Sequence, residues 1–171
     1  ALLAAGYELR SFEERADVYI INTCSVTNIA DRKSRQMLHR AKSLNPGAVV
    51  VAAGCYAQAA AESLKEDGSV ALVLGNQEKK DLVRILEAYF SEDAAPAVHV
   101  GDMREAKRYE DLSANRSEEH TRAFLKVQDG CNQYCSYCII PFLRGNIRSR
   151  RPGEVRREAE RLAANGVREL V

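Results

Sequence analysis

Three cysteines lie close together in the second half of this sequence, with a spacing typical of a metal-binding loop. Cys131, Cys135 and Cys138 form a C-x-x-x-C-x-x-C pattern within eight residues. Thiolates are the usual ligands of iron–sulfur clusters and of structural zinc. Structural zinc takes four ligands, and the nearest further Cys or His is His120, eleven residues before Cys131. Three thiolates on one loop therefore favour a [4Fe–4S] cluster whose fourth iron stays open, with a structural zinc loop as the alternative.

The other two cysteines, Cys24 and Cys55, each follow directly on a short apolar run. The runs cover residues 18–22 and 48–53, and uninterrupted runs of this length are typical of parallel strands covered on both faces. Parallel strands of one sheet end at the same edge, where open α/β sheets bind ligands. We therefore expect the two thiols to be neighbours in space. A single buried cysteine is often only a small apolar side chain, and that alternative stays open for each.

The elements that must position Cys24 and Cys55 alternate between strand and helix patterns. In chain order, the sequence predicts a strand over 18–22, a helix over 28–44, a strand over 48–53, a short helix over 58–65, a strand over 71–74 and a helix over 75–90. Such alternation indicates a doubly wound α/β domain around a parallel sheet.

The cysteine loop requires a second set of elements. The sequence predicts a strand over 123–128 before the loop and a helix after it, which starts with Pro152 in its N1 position and ends at Asn165-Gly166. Its apolar positions are Val155, Ala159, Leu162 and Ala163. A further strand is predicted over 167–171. This order forms one βα unit and the start of a second.

The two sets of elements are separated by a stretch of different composition. Residues 91–119 carry eight acidic and four basic side chains, and only 97–100 has a possible strand pattern. We therefore predict three parts: an α/β domain over 1–92, an acidic interdomain connection over 93–120 and a second unit over 121–171. The first residues, ALLAAG, suit the end of a helix, and the last strand is followed by nothing. We expect both ends to be cuts within a longer protein.

Composition narrows the class of protein. The chain has 46% hydrophobic and 29% charged residues with a net charge of +1, which is typical of a soluble globular protein. Its five cysteines are an odd number, which is easier to explain by ligand sets than by disulfide pairs. No apolar run approaches the roughly 18 residues of a membrane helix. We expect a cytoplasmic protein with no membrane partner.

The cysteine loop, with a strand predicted before it and a helix after it, resembles the radical S-adenosylmethionine superfamily. That resemblance implies that Cys131, Cys135 and Cys138 hold a [4Fe–4S] cluster and that the open iron binds S-adenosylmethionine, which is cleaved reductively to a radical. It also implies that Tyr137, the aromatic residue before the last ligand, lies near the adenine, with loop packing as the alternative. Residues 121–171 would then form the first βα unit of a partial (β/α) barrel.

Several short motifs extend the resemblance over the whole chain. They are NTCSVT at 22–27, GCYAQ at 54–58, IIP at 139–141, and RG at 144–145 with RSR at 148–150. Together they resemble the methylthiotransferase family. Its N-terminal α/β domain binds a second [4Fe–4S] cluster through three cysteines, and that cluster is thought to carry the inserted sulfur. The resemblance implies that Cys24 and Cys55 are two of these ligands and that the third precedes the chain.

Two further stretches, residues 31–36 and 127–130, are most similar to the branch of the family that acts on N6-threonylcarbamoyladenosine of tRNA. The branches that act on isopentenyladenosine or on a ribosomal-protein aspartate usually have other residues there. The resemblance implies insertion of a methylthio group at carbon 2 of the base next to the anticodon. It implies tRNA, an electron donor such as flavodoxin or ferredoxin, and a sulfur donor as partners. With one cluster ligand and most of the barrel expected elsewhere, we expect this chain alone to be inactive.

Arginines follow the cysteine loop closely. Arg144, Arg148 and Arg150 are predicted to bind the carboxylate of the cofactor, or a phosphate, through bidentate hydrogen bonds. Basic residues also share one face of the helix predicted over 28–44, where phosphate contact and simple solvation fit equally well. Two functions from other classes stay open: a non-catalytic metal-binding module with structural zinc, and an electron-transfer protein with fully ligated clusters.

Overall fold

The structure of the chain is a computed structural model that describes residues 2–91, 97–106, 109 and 121–171. Its strands are β1 (Val18–Thr23), β2 (Val49–Gly54), β3 (Leu72–Leu74), β4 (Ala97–His99), β5 (Arg122–Ala123), β6 (Gln128–Asp129), β7 (Arg148–Ser149) and β8 (Glu169–Leu170). Its α-helices are α1 (Asn28–Leu44), α2 (Cys55–Ala59), α3 (Ala61–Glu66), α4 (Leu82–Ser91), α5 (Ile140–Arg144) and α6 (Pro152–Ala164). None of these helices is long and apolar enough to cross a membrane.

The first half of the chain folds around a parallel sheet with the strand order β1-β2-β3-β4. Strand β2 is buried along its whole length, and its side chains alternate between two apolar clusters. Val50 packs in the cluster that contains Leu38 of α1, whereas Val51 packs in the cluster that contains Leu86 of α4. Helices therefore cover both faces of the sheet, and the predicted α/β class is confirmed.

Helix α1 has the bounds that the sequence predicts. The side chain of Thr27 accepts a hydrogen bond from the Ala30 N–H and caps its first turn. Ser34, Leu38 and Ala41 are its buried residues, four and three positions apart, so that one stripe of the helix faces the sheet. The helix ends at Leu44, just before the sequence Asn45-Pro46-Gly47.

The structure differs from the predicted elements of the first half at three places. The helix predicted over 75–90 begins only at Leu82, as α4, after a short 3₁₀-helix at Glu78–Asp81. The short helix predicted over 58–65 is divided into α2 and α3, because Ala60 leaves the helical conformation at φ −123°. The possible strand over 97–100 is β4, which pairs with β3. The sheet therefore extends into the range predicted as an acidic connection. Residues 93–96, 107, 108 and 110–120 of that range lie outside the described residues, and the three-part division stays a prediction.

The second half contains one strand–helix–strand unit. Strands β5 and β8 pair in parallel, and α6 lies between them in the chain, as a βα unit with the start of a second requires. Pro152 is the first residue of α6, as predicted, and Gly166 follows the helix at φ +83°. Ala163, which was expected to face inward, is exposed, and Glu158 is buried instead.

The prediction of a single strand over 123–128 is wrong. The segment instead forms two short strands with different partners: β5 pairs in parallel with β8, and β6 pairs antiparallel with β7. Phe124 and Val127, between the two strands, are 72% and 50% exposed. Their apolar side chains suggested a buried strand, but strand pairing depends on partners that are distant in the sequence.

Candidate metal and cofactor sites

Cys24 and Cys55 meet at the carboxyl edge of the first sheet. Cys24 directly follows β1 and Cys55 directly follows β2, and the register places Thr23 opposite Gly54. Both cysteines line one cavity of about 430 Å³. The structure thus brings these two residues together, as the sequence predicts from the rule that parallel strands end at a common edge.

Thr23 fixes the start of α2, the helix that begins with Cys55. The Thr23 hydroxyl donates a hydrogen bond to the Ala53 carbonyl at 2.8 Å and accepts one from the Ala57 N–H at 3.2 Å. A residue of β1 therefore satisfies one of the N–H groups that the first turn of α2 leaves without a partner within the helix. The side chain is buried, so that β1, β2 and α2 are joined at this one hydroxyl.

Replacing Thr23 with valine is expected to lower the free energy of unfolding by about 1–2 kcal/mol, since the shape is kept but a buried cap is lost. Chemical denaturation followed by circular dichroism would measure the change. Thr121→Val is a matched control because Thr121 is exposed. Equal stability of the two variants would contradict the capping role.

Cys24 is held through its backbone. Its N–H donates to the Ser34 hydroxyl at 3.3 Å, and the same hydroxyl donates to the Cys24 carbonyl at 3.3 Å. Ser34 is a buried residue of α1, whereas the Cys24 side chain is exposed. The helix therefore fixes the position of Cys24 and leaves its thiol accessible from the cavity.

Cys55 is buried, and side chains from two parts of the chain contact its sulfur. Asn76 Nδ2 lies 3.6 Å from Cys55 Sγ, and Arg144 Nε lies 3.5 Å from it. Asn76 belongs to the loop after β3, whereas Arg144 is the last residue of α5, 89 positions after Cys55. The hydrogen bond to Cys55 is the largest of the effects that raise the pKa of the Arg144 guanidinium above its usual value.

The cavity also contains charged residues that the sequence reasoning missed. Lys79 donates to the Asn22 side chain at 3.2 Å, and Lys126 pairs with Asp129 at 2.7 Å. Burial alone would raise the pKa of Asp129, but the hydrogen bond and charge of Lys126, the Gly130 N–H and the charge of Arg144 together outweigh it, so that the pKa lies below its usual range. With Arg144, the described residues that line the cavity include three cationic side chains and one carboxylate.

The cysteine loop is shaped by glycines and by backbone hydrogen bonds. Gly130 adopts φ +76°, and a Cβ at this position would lie 2.1 Å from the Asn146 carbonyl oxygen. The Cys131 N–H donates to the Gly145 carbonyl at 3.1 Å, and the Cys138 N–H donates to the Cys135 carbonyl at 2.9 Å. The two ends of the loop are therefore held close together.

The three loop thiols have the chemistry of a cluster site but are not gathered around one point. Cys135 is exposed, and Cys131 and Cys138 are partly exposed. Among the described residues, no three Cys, His, Asp or Glu side chains converge as metal ligands. Within the same part of the chain, none of the three thiols makes a side-chain hydrogen bond. Three accessible thiols on one loop fit a [4Fe–4S] cluster in kind and number.

The structure places the other predicted cofactor residues as follows. Tyr137 is 91% exposed, so loop packing does not hold its ring. Arg148 donates to the carbonyls of Arg144 and Asn146 at 2.7 and 3.0 Å, and Arg150 forms a buried ion pair with Glu158. Both arginines thus contact protein groups, and their cofactor role stays a prediction.

The basic face of α1 is also partly occupied by contacts within the protein. Arg35 donates to the Tyr56 hydroxyl at 3.0 Å, His39 pairs with Asp67 at 2.8 Å, and Lys42 donates to the Ala48 carbonyl at 3.1 Å. These contacts favour simple solvation and local packing over phosphate binding as the role of this face.

Two family models match this chain. One is described as "Uncharacterized protein family UPF0004" and matches residues 1–75; the other, the Radical SAM superfamily, matches residues 125–171. The threonylcarbamoyladenosine tRNA methylthiotransferase MtaB of Bacillus subtilis (strain 168) is 43% identical over 167 residues, which cover 98% of this chain and 37% of that protein. The protein of the same name from Aquifex aeolicus (strain VF5) is 45% identical over 166 residues, covering 97% and 40%.

Over nearly its whole length, the chain is similar to methylthiotransferases that act on tRNA. The resemblance inferred from the motifs is thus confirmed. The tRNA-2-methylthio-N(6)-dimethylallyladenosine synthase of Vibrio vulnificus (strain YJ016) is 36% identical over 171 residues, covering 98% of this chain and 35% of that protein. The two MtaB proteins are more similar to the chain than this synthase is. The chain spans 35–40% of the length of these relatives. The match of residues 125–171 to the Radical SAM superfamily implies a [4Fe–4S] cluster and S-adenosylmethionine.

Proposed function

We propose that this chain is part of a tRNA methylthiotransferase that inserts a methylthio group at carbon 2 of N6-threonylcarbamoyladenosine, next to the anticodon. The observation that carries the proposal is the cavity at the carboxyl edge of the first sheet. Cys24 and Cys55 of the α/β domain and Arg144 of the segment after the cysteine loop all line it. The segment that follows the cysteine loop therefore reaches the site of Cys24 and Cys55. The similarity to the MtaB proteins supports the choice of nucleoside.

In this proposal, Cys131, Cys135 and Cys138 bind the cluster that supplies reductive cleavage of S-adenosylmethionine when it is bound. Gly130 and Gly145 allow the loop to fold back on itself, since both adopt positive φ and face backbone atoms closely. Tyr137 is exposed beside the last ligand and lies near the adenine. Arg148 and Arg150 bind the cofactor carboxylate or a phosphate in the proposed enzyme.

Cys24 and Cys55 bind a second [4Fe–4S] cluster, with a further ligand from elsewhere in the protein, and hold the sulfur that is inserted. The roles of the surrounding residues follow from their contacts. Ser34 fixes the backbone of Cys24, and Thr23 fixes the helix start at Cys55. The buried position of Cys55 keeps water from its sulfur. The three cations of the cavity attract an anionic sulfur species or a phosphate of the tRNA.

The proposal also includes partners. They are tRNA, an electron donor such as flavodoxin or ferredoxin, and a sulfur donor, all in the cytoplasm. The isopentenyladenosine and ribosomal-protein aspartate branches are the alternatives for the substrate. An alternative from a different class is a zinc-binding module without catalysis.

Mass spectrometry of tRNA nucleosides tests the substrate directly. Deleting the gene is expected to remove 2-methylthio-N6-threonylcarbamoyladenosine, to leave its unthiolated precursor in place, and to leave other methylthiolated nucleosides unchanged. A plasmid copy of the gene is expected to restore the lost nucleoside. Loss of a methylthiolated isopentenyladenosine instead would assign the protein to that branch. An unchanged nucleoside profile would contradict a tRNA substrate.

A further inference from the structure

The sulfur of Cys55 receives N–H donors from two distant parts of the chain. Asn76 Nδ2 lies 3.6 Å from Cys55 Sγ and Arg144 Nε lies 3.5 Å from it. Sequence reasoning places Arg144 at the cofactor of the cysteine loop. The structure directs its guanidinium to the other set of cysteines. The inference drawn from this contact rests on the proposed second cluster.

The position of Arg144 is fixed by its neighbours. Its backbone carbonyl accepts a hydrogen bond from the Arg148 guanidinium at 2.7 Å. The next residue, Gly145, is buried at φ +69°, and a Cβ there would lie 2.2 Å from the Met103 carbonyl oxygen. Among the described residues, the one carboxylate that the Arg144 side chain contacts is Asp129, with Nη1 3.9 Å from Oδ1. The fixed backbone therefore directs the side chain to Cys55, and a strong ion pair does not draw it away.

Asn76 joins the same two parts of the protein. Its Nδ2 donates to the Leu143 carbonyl at 2.8 Å and lies near Cys55 Sγ, while its backbone N–H donates to Gln58 Oε1 at 2.9 Å. Leu143 directly precedes Arg144 in α5. One amide thus holds α5 against the sheet edge, and α5 in turn brings the guanidinium to the sulfur.

We propose that Arg144 is a positioning residue for the N-terminal metal site, where it and Asn76 donate two N–H groups to the Cys55 sulfur. N–H donors and a positive charge next to a ligating sulfur stabilise the more negative, reduced state of a cluster. The segment after the cysteine loop therefore raises the reduction potential of the cluster that the first domain binds. A residue that follows the cysteine loop thus sets the reduction potential of the cluster that Cys24 and Cys55 bind.

The test uses the full-length gene product in which Cys131, Cys135 and Cys138 are replaced by alanine, so that only the N-terminal cluster is present. After anaerobic reconstitution, a redox titration followed by electron paramagnetic resonance gives its reduction potential. Arg144→Gln is expected to shift the potential to more negative values. Arg144→Lys keeps the charge but not the directed Nε donor, and its shift is expected to be smaller.

Two further variants make the result specific. Asn76→Ala removes the second donor and is expected to shift the potential in the same direction. Arg156→Gln is the matched control, because Arg156 is 81% exposed on α6 and pairs only with Glu160 among the contacts described. It is expected to leave the potential unchanged. Thermal unfolding of each variant establishes that the protein is folded.

The outcomes separate this inference from the proposed function. If the triple-alanine protein binds no iron, the second cluster itself is wrong, and the role of Arg144 is wrong with it. If the protein binds iron but Arg144→Gln has the same potential as Arg156→Gln, only the role of Arg144 is overturned. A more negative reduction potential in Arg144→Gln, with a smaller change in Arg144→Lys, supports the inference.

Discussion

Replacing Cys135 with alanine is expected to abolish reductive cleavage of S-adenosylmethionine by the full-length gene product. Its iron content is expected to fall from about eight to about four atoms per chain. Cys135 is the middle ligand of the loop, and its thiol is exposed and makes no hydrogen bond with the described residues. Two remaining thiols cannot hold a cluster with one open iron, because three are needed. Iron analysis after anaerobic reconstitution and chromatographic detection of 5′-deoxyadenosine measure the two effects.

Two comparison variants make this result specific to the loop. Ser136→Ala changes the neighbouring residue, which is not a predicted ligand, and is expected to keep both iron and cleavage. Cys55→Ala is expected to lose about four irons as well, but to keep cleavage of S-adenosylmethionine. Cleavage at the parent rate by Cys135→Ala would contradict the assignment of the loop. Zinc retained through aerobic purification, without the colour of an iron–sulfur protein, would favour the non-catalytic alternative.

Much of the first domain can be predicted from sequence because its signals are local. The uninterrupted runs at β1 and β2 and the Asn45-Pro46-Gly47 stop of α1 each depend on a few adjacent residues. The meeting of Cys24 and Cys55 follows from topology alone, because both directly follow parallel strands. The same rule also points to Asn76, which comes two residues after the end of β3. It was missed because asparagine is not a metal ligand in this pattern.

What could not be predicted depends on partners that are distant in the sequence. Residues 123–128 have the composition of one strand, but the residues of β5 and β6 pair with residues 19 to 47 positions away. The three arginines after the loop look alike in sequence, yet Arg150 pairs with Glu158 and Arg144 contacts Cys55. Only the packing of α6 and α5 decides which arginine faces a cavity and which faces a carboxylate.

The junction between β2 and α2 should be the part of the N-terminal site that tolerates substitution least. Gly54 adopts φ +106° there, and a Cβ on it would lie 2.6 Å from the Thr23 carbonyl oxygen of β1. Both the conformation and the close approach require glycine. Because the obstructing atom belongs to the backbone of β1, at the buried residue Thr23, no side-chain movement relieves the contact. β1 and β2 would have to separate where Cys24 and Cys55 meet.

Gly54→Ala is therefore expected to lower the free energy of unfolding by about 3 kcal/mol or more, the sum of a strained φ and a backbone clash. Gly68→Ala is the matched control: no atom lies within 4 Å of its Cβ position and its φ is not positive, so a change within about 1 kcal/mol is expected. Urea denaturation of this chain, followed by circular dichroism, compares the two. A loss below about 1 kcal/mol in Gly54→Ala would show that β1 and β2 separate easily at this edge. The spacing of the two thiols would then be fixed by another contact, such as that of Ser34 with the Cys24 backbone.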